Sequence, residues 1–130
     1  MSHWTTVKTE LKDQEILKAA LERMGFKVQE GDSSVTQYGV TAKTQLKLDD
    51  AVGFSRQEDG TFAMVGDFYH SNDKRLYGYY NNNEKFMKNV STAYGIERAL
   101  DHYENLGFRC EENAEGNIGE DGLITLTFEK

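Results

Sequence analysis

The residue types that could bind a metal or act as nucleophiles are few in this chain and widely separated. His3, His70, His102 and Cys110 are the candidates. Most protein zinc sites draw two ligands from one short stretch such as Cys-x-x-Cys, and none of these four residues forms such a local pair. The acidic stretch 111–121 lacks the Asp-x-Asp-x-Asp-Gly spacing of a calcium loop, which favours a solvated loop. The sequence therefore predicts no metal site.

Catalytic signatures are also missing. His70 lies between Asp67 and Asp73, and either carboxylate could orient its imidazole for acid–base work, but no nucleophile or second base stands beside it. A reactive Cys110 would need a lowered pKa, and its position in a strand favours core packing instead. The chain contains no Walker loop, dinucleotide glycine fingerprint, nucleophile elbow or His-Glu-x-x-His sequence. We therefore identify no catalytic residues and no cofactor, and favour a non-enzymatic protein.

The segment 68–80 is the most informative part of the sequence, because it holds four of the seven tyrosines together with three basic residues. Tyrosine, arginine and histidine suit protein contact surfaces, and aromatic rings beside cations could also hold nucleic acid bases or a small ligand. The alternative is that the tyrosines pack over the sheet and the charged tip is only solvated. The predicted binding residues are Tyr69, His70, Lys74, Arg75, Tyr77, Tyr79 and Tyr80.

Charge and composition narrow the class of partner and the compartment. The 15 basic and 22 acidic residues give a formal net charge of −7, which disfavours nonspecific binding to nucleic acid or to anionic membranes. No apolar run approaches 18 residues, so we expect no membrane insertion. A single cysteine suits a reducing compartment, and the N-terminus shows no signal-peptide pattern. We therefore predict a cytoplasmic location.

The hydrophobic pattern places these residues on a framework of strands and helices. Alternation predicts a strand over 4–11, and Asp13 and Gly25 have the residue types of a helix N-cap and stop. A second strand is expected from Phe26, with a turn over 31–34. Alternation then predicts a strand over 40–48. An Asp-Gly turn between two apolar runs predicts a hairpin of 52–56 with 61–65.

The C-terminal half follows with one long helix. Asn81, Asn82 and Asn83 can cap it, apolar residues at helical spacing continue it, and Gly107 ends it. Strands are expected at 108–111 and 123–128. We predict one globular domain over 1–130 of the α+β class, with a mainly antiparallel sheet of about six to seven strands and two helices packed on one face. Open sheet edges also allow a homodimer.

Several stretches resemble one known family. These are Trp4-x-x-Val7-Lys8-Thr9, the run Leu-x-x-Ala-Leu-x-x-Met-Gly-Phe-x-Val over 17–28, and Asp-Gly-Leu-Ile-x-Leu over 121–126. They are similar to the uncharacterised cyanobacterial and plastid proteins of the thirty-fifth hypothetical chloroplast reading frame. The resemblance implies a photosynthetic context: cyanobacterial cytoplasm, plastid stroma, or the cytoplasm of a phage-infected host. The acidic, Asn-rich composition would suit a cyanophage copy. The resemblance brings no catalytic residues.

The sequence therefore predicts a small accessory protein that binds an unidentified protein partner. The alternative is a domain, or a weak enzyme, that binds a nucleotide or metabolite through the segment 68–80.

Overall fold

A computed structural model describes residues 4–37 and 39–107, together with the backbone of 109–110 and 128–129. In chain order its elements are β1 (Thr5–Lys8), α1 (Gln14–Arg23), β2 (Gln29–Gln37), β3 (Val40–Lys47), β4 (Val52–Arg56), β5 (Phe62–Gly66), a 3₁₀ turn (Phe68–His70), α2 (Lys74–Tyr77), α3 (Asn83–Asn105), β6 (Arg109–Cys110) and β7 (Phe128–Glu129).

Five strands form one antiparallel sheet in the order β1-β5-β4-β3-β2. The two strands of the predicted hairpin, β4 and β5, pair as neighbours. Strand β1 forms one edge of the sheet by pairing with β5, where Val7 lies opposite Met64. The α+β class and the antiparallel sheet are confirmed. The predicted strand count of the sheet is wrong: β6 and β7 pair with each other as a separate two-stranded sheet. Alternation marks a segment as a strand, but it does not say which strand pairs with it.

The helix boundaries follow the predicted signals. The Asp13 carboxylate accepts a hydrogen bond from the amide of Ile16 (3.1 Å), and the chain leaves α1 at Gly25 with φ 94°. The side chain of Asn82 caps α3, and Gly107 follows its end with φ 90°. The described residues form three α-helices rather than the predicted two. The extra helix, α2, is a single turn with one buried residue, which is too short to show helical periodicity.

Two predictions around β2 are wrong. The predicted turn over 31–34 lies inside this strand, which shifts register between Glu30 and Ser33 and carries Gly31 at φ 121°. Glycine and serine here mark a bulge in a strand rather than a chain reversal. The strand also begins at Gln29, and Phe26 lies in the connection before it with its side chain buried.

The core lies between one face of the sheet and the helices. Phe54 is paired with both Leu46 and Met64, so these three side chains share a face. The apolar stripes of α1 and α3 pack into the same cluster, and the hydroxyl of Tyr94 accepts a hydrogen bond from the Asp13 amide (3.0 Å) between the two helices. Within the part of the chain that the structure describes, no helix has the length and apolar character needed to cross a membrane.

Candidate functional site

The segment 68–80 is a folded connection between β5 and α3, anchored by two buried side chains. Phe68 packs edge-to-face against Phe86 of α3, with 5.0 Å between ring centroids, and Leu76 is fully buried on α2. The segment is helical rather than extended, so its tyrosines do not alternate over the sheet as one interpretation of the sequence had it.

Side-chain hydrogen bonds hold the backbone of the segment. Asp67 caps the 3₁₀ turn by accepting from the Tyr69 amide (3.0 Å), and Asp73 caps α2 by accepting from the Arg75 amide (2.8 Å). Between them, the Ser71 hydroxyl donates to the Asp49 carboxylate. These contacts place the side chains of the segment in one defined arrangement.

Three tyrosines of the segment pack against one another on the protein surface. The ring centroids of Tyr69, Tyr77 and Tyr80 lie 5.2–5.7 Å apart, and the His70 ring stands 5.7 Å from Tyr69. Each tyrosine keeps 36–43% of its surface exposed. We call these four residues the tyrosine surface.

The geometry around His70 does not make a hydrogen-bonded dyad. Its Nε2 lies 3.9 Å from the buried Asp67 carboxylate, which is an ion-pair distance when the imidazole is protonated but exceeds hydrogen-bond length. The other predicted partner, Asp73, binds Arg75 instead.

The remaining predicted residues line a cavity of about 390 Å³, which we call the Arg75 cleft. The cleft lies where the end of α1, α2 and the start of α3 meet. Four of its lining residues come from the segment 68–80: Lys74, Arg75, Gly78 and Tyr79. The others are Met24, Phe26 and Lys85.

Arg75 is held in place by contacts on several sides. Its Nη1 donates to the Gly25 carbonyl (2.7 Å), its Nη2 donates to the Asp73 carboxylate (3.1 Å), and its guanidinium lies 4.5 Å from the centroid of the Phe26 ring. Gly25 permits this approach, because a Cβ there would come within 2.5 Å of Nη1.

Arg75 changes the pKa of the Asp73 carboxylate. Its partial burial raises the pKa, but hydrogen bonds from the Arg75 side chain and backbone, together with the guanidinium charge, outweigh burial. The net pKa of Asp73 lies below its usual value of 3.8. The carboxylate is therefore ionised at neutral pH and partly neutralises Arg75.

Tyr79 differs from the other tyrosines of the segment. Its ring packs on Phe86, with 5.2 Å between centroids, and its hydroxyl accepts a hydrogen bond from Asn89 (3.2 Å). It therefore forms a wall between the core and the Arg75 cleft and is not part of the tyrosine surface.

The seven predicted binding residues thus divide between two neighbouring surfaces, and their binding role stays a prediction. Sequence reasoning missed Met24, Phe26 and Lys85 as cleft residues. They come from other elements, and no local motif marks them. The only hint was Phe26, an aromatic residue that directly follows the glycine at the end of α1.

Metal-ligating residues do not cluster in the described ranges: no group of three or more His, Cys, Asp or Glu side chains is close enough to hold an ion there. The predictions for the Cys110 side chain and for the acidic stretch 111–121 lie outside the described residues.

Comparison with known proteins shows the family of the chain. Residues 20–127 match the family described as "Protein of unknown function (DUF1257)". The chain belongs to this family. It is also similar to the "Uncharacterized protein ycf35" of Cyanophora paradoxa, with 27% identity over 135 aligned positions that cover all of the chain and 98% of that relative. The resemblance predicted from the sequence is confirmed. No solved structure matches this member of the DUF1257 family.

Proposed function

We propose that this DUF1257 protein is an accessory protein that binds a partner protein through the tyrosine surface. The observation that carries the proposal is the mutual packing of three half-exposed tyrosines. Of the six large hydrophobic side chains that stand exposed in the described chain, three belong to this one cluster.

The chemistry of the cluster suits a protein contact. A tyrosine ring buries a large area with only two rotatable side-chain bonds and keeps a hydroxyl for hydrogen bonding. Such residues are enriched among those that dominate binding energy. His70 at the margin adds a polar group that a partner can meet.

The side chains of the tyrosine surface are already ordered, so a partner can bind without rearranging them. Each tyrosine already packs on the other two, and the backbone beneath is held by Asp67, Asp73 and the buried Leu76. Ordering flexible side chains is a main cost of association, about 0.5–1.5 kcal/mol for each long side chain. A surface that is already ordered avoids most of that cost.

The proposed setting is photosynthetic. The similarity to a ycf35 protein of Cyanophora paradoxa supports a partner in cyanobacterial cytoplasm, in the plastid stroma, or in a phage-infected host. A formal net charge of −7 argues against nonspecific binding to nucleic acid.

The test is a quantitative capture experiment from a cyanobacterial lysate, followed by titration with the purified partner. The variant Tyr77→Ser with Tyr80→Ser removes two of the three rings. The matched control is Tyr103→Ser with Leu106→Ser, which removes two exposed apolar side chains at the far end of α3.

We expect a stoichiometric partner that the control retains and the tyrosine variant binds about tenfold more weakly or worse, the loss typical of a central contact residue. Circular dichroism of both variants checks that the fold is intact. Equal binding of that partner by wild type and the tyrosine variant would contradict the proposal.

A further inference from the structure

We propose that the Arg75 cleft is a binding site for a small phosphorylated organic compound, with the ammonium groups of Lys74 and Lys85 contacting the phosphate. This inference does not rest on the tyrosine surface, since the two surfaces share no residue.

Size and lining favour a small molecule. The cleft volume of about 390 Å³ lies in the range of small-ligand sites, about 300–1,000 Å³. Met24, Phe26 and Tyr79 supply apolar and aromatic wall, and the cationic side chains stand around it. This is the usual composition of a site that packs on the body of a ligand and fixes its orientation with a few polar groups.

The two lysines are the groups open to a ligand. Among the described residues, neither the Lys74 nor the Lys85 ammonium makes a hydrogen bond or ion pair, whereas Arg75, the third cation of the cleft, is paired with Asp73. Two unpaired cations that line one cleft, in a chain of net charge −7, attract an anion to that cleft locally.

Arg75 has a different role. Contacts to the carbonyls of Met24 and Gly25 and to the carboxylate of Asp73 engage four of its five N–H donors. Its charge is offset by Asp73, and its position is fixed over Phe26. Arg75 therefore shapes the cleft as a positioning residue, and the two lysines bind the charged group of the ligand.

The charge requirement selects phosphate over carboxylate. A phosphomonoester carries about −1.5 to −2 at pH 7 and offers three acceptor oxygens, which matches two ammonium groups. A single carboxylate carries one negative charge and would neutralise only one of the two lysines. Inorganic phosphate would satisfy the lysines but not the apolar wall, so we infer an organic phosphate of about nucleotide or sugar-phosphate size.

The test uses the full chain and four classes of probe: nucleoside 5′-phosphates, hexose phosphates, inorganic phosphate, and adenosine as the uncharged analogue. The cleft variant is Lys74→Gln with Lys85→Gln. The control is Lys8→Gln with Lys12→Gln, two side chains that lie near Asp59 and do not line the cleft. Each pair removes two positive charges, so both variants change the formal net charge from −7 to −9.

We expect at least one phosphorylated compound to bind by titration calorimetry and to raise the melting temperature. The cleft variant should bind it about tenfold more weakly or worse, because each lost contact is a charge-assisted hydrogen bond. The control should bind within about twofold of wild type, since distant surface charges are screened. Amide resonances of Gly25 and Gly78 should shift on addition of that compound.

Three results would overturn the inference. The first is the absence of binding by every phosphorylated probe at millimolar concentration. The second is equal binding by the cleft variant and the control. The third is binding of inorganic phosphate as tightly as every organic phosphate, which would leave the apolar wall without a role.

Discussion

Gly66 and Gly60 both have positive φ, at 130° and 87°, yet they differ in what surrounds them. A Cβ on Gly66 would come within 1.8 Å of the Ala51 carbonyl oxygen, while a Cβ on Gly60 would meet nothing within 4 Å. At both positions the positive φ is energetically unfavourable for any residue that has a side chain. Only Gly66 adds a collision with the backbone of the neighbouring strand.

Substitution of the two glycines should separate these effects. We expect Gly60→Ala to lower the free energy of unfolding by about 1–2 kcal/mol, the cost of the left-handed conformation. Gly66→Ala should cost about 4 kcal/mol or more, because β4 and β5 must also move apart. Urea denaturation of both variants measures the difference, and equal losses would contradict the close approach at Gly66.

The lowered pKa of Asp73 predicts that the stability of the protein depends on pH. Its pKa in the folded protein lies below the usual 3.8, so its contribution to stability is complete above the unfolded pKa and is lost as pH falls through the folded pKa. Asp73→Asn should therefore destabilise the protein by about 0.5 kcal/mol at neutral pH, the usual size of an exposed ion pair. The difference from wild type should shrink as the pH falls below 3.8 and vanish once the Asp73 carboxylate is protonated in the folded protein.

Urea midpoints of wild type and Asp73→Asn measured across this pH range check the prediction. Asp101→Asn, at an exposed position of α3, controls for the change in net charge. A deficit of Asp73→Asn that grows on acidification would have the wrong sign for a carboxylate with a lowered pKa.

At the scale of elements, the long helix α3 depends on its first turn and α2 depends on its neighbours. Asn82 accepts a hydrogen bond from the Lys85 amide (3.1 Å) and so satisfies an amide that α3 leaves free. In contrast, α2 has four residues and is too short to be stable alone. Its position depends on the buried Leu76 and on the Asp73 cap.

The three consecutive asparagines before α3 offer a direct test of capping. Asn82→Ala should lower the free energy of unfolding by about 1 kcal/mol, the typical cost of losing an N-cap. Asn81→Ala, at an exposed turn position, should change it by less than about 0.5 kcal/mol. Thermal or urea unfolding compares the two, and a reversed order would place the cap elsewhere.

At the scale of the whole molecule, the sheet leaves β1 and β2 as its edges. Strand β2 is bulged and bears exposed Glu30 and Asp32, features that discourage edge pairing. The homodimer predicted from open edges stays a prediction, and the structure favours β1 as the edge that would pair.

Sedimentation equilibrium tests this prediction. A dimer through β1 has twice the chain mass of 14.8 kDa, and Thr6→Lys should shift it toward monomer, because a symmetric pair would bring like charges together at the edge. A mass of 14.8 kDa at every concentration would contradict the dimer.

Local sequence was enough to identify most elements. Asp13, Asn82 and the glycines at 25 and 107 marked helix ends, because capping depends on the conformation and hydrogen bonds of a few adjacent residues. The Asp-Gly pair between two apolar runs identified the β4–β5 hairpin, because a tight turn also depends on a few adjacent residues. The α+β class and the family resemblance followed from these local patterns.

Long-range packing decided the rest. The five-stranded sheet excludes β6 and β7, and α2 forms because Phe68 and Leu76 find burial in the core. The Arg75 cleft needs Phe26, which lies far from Arg75 along the chain, and Lys85, which lies on another helix. Both meet Arg75 only where α1, α2 and α3 converge. Sequence alone predicted the side chains of the segment 68–80 as candidates for binding. Tertiary contacts divided them into a tyrosine surface and a cationic cleft, because neighbours in space are set by burial rather than by spacing along the chain.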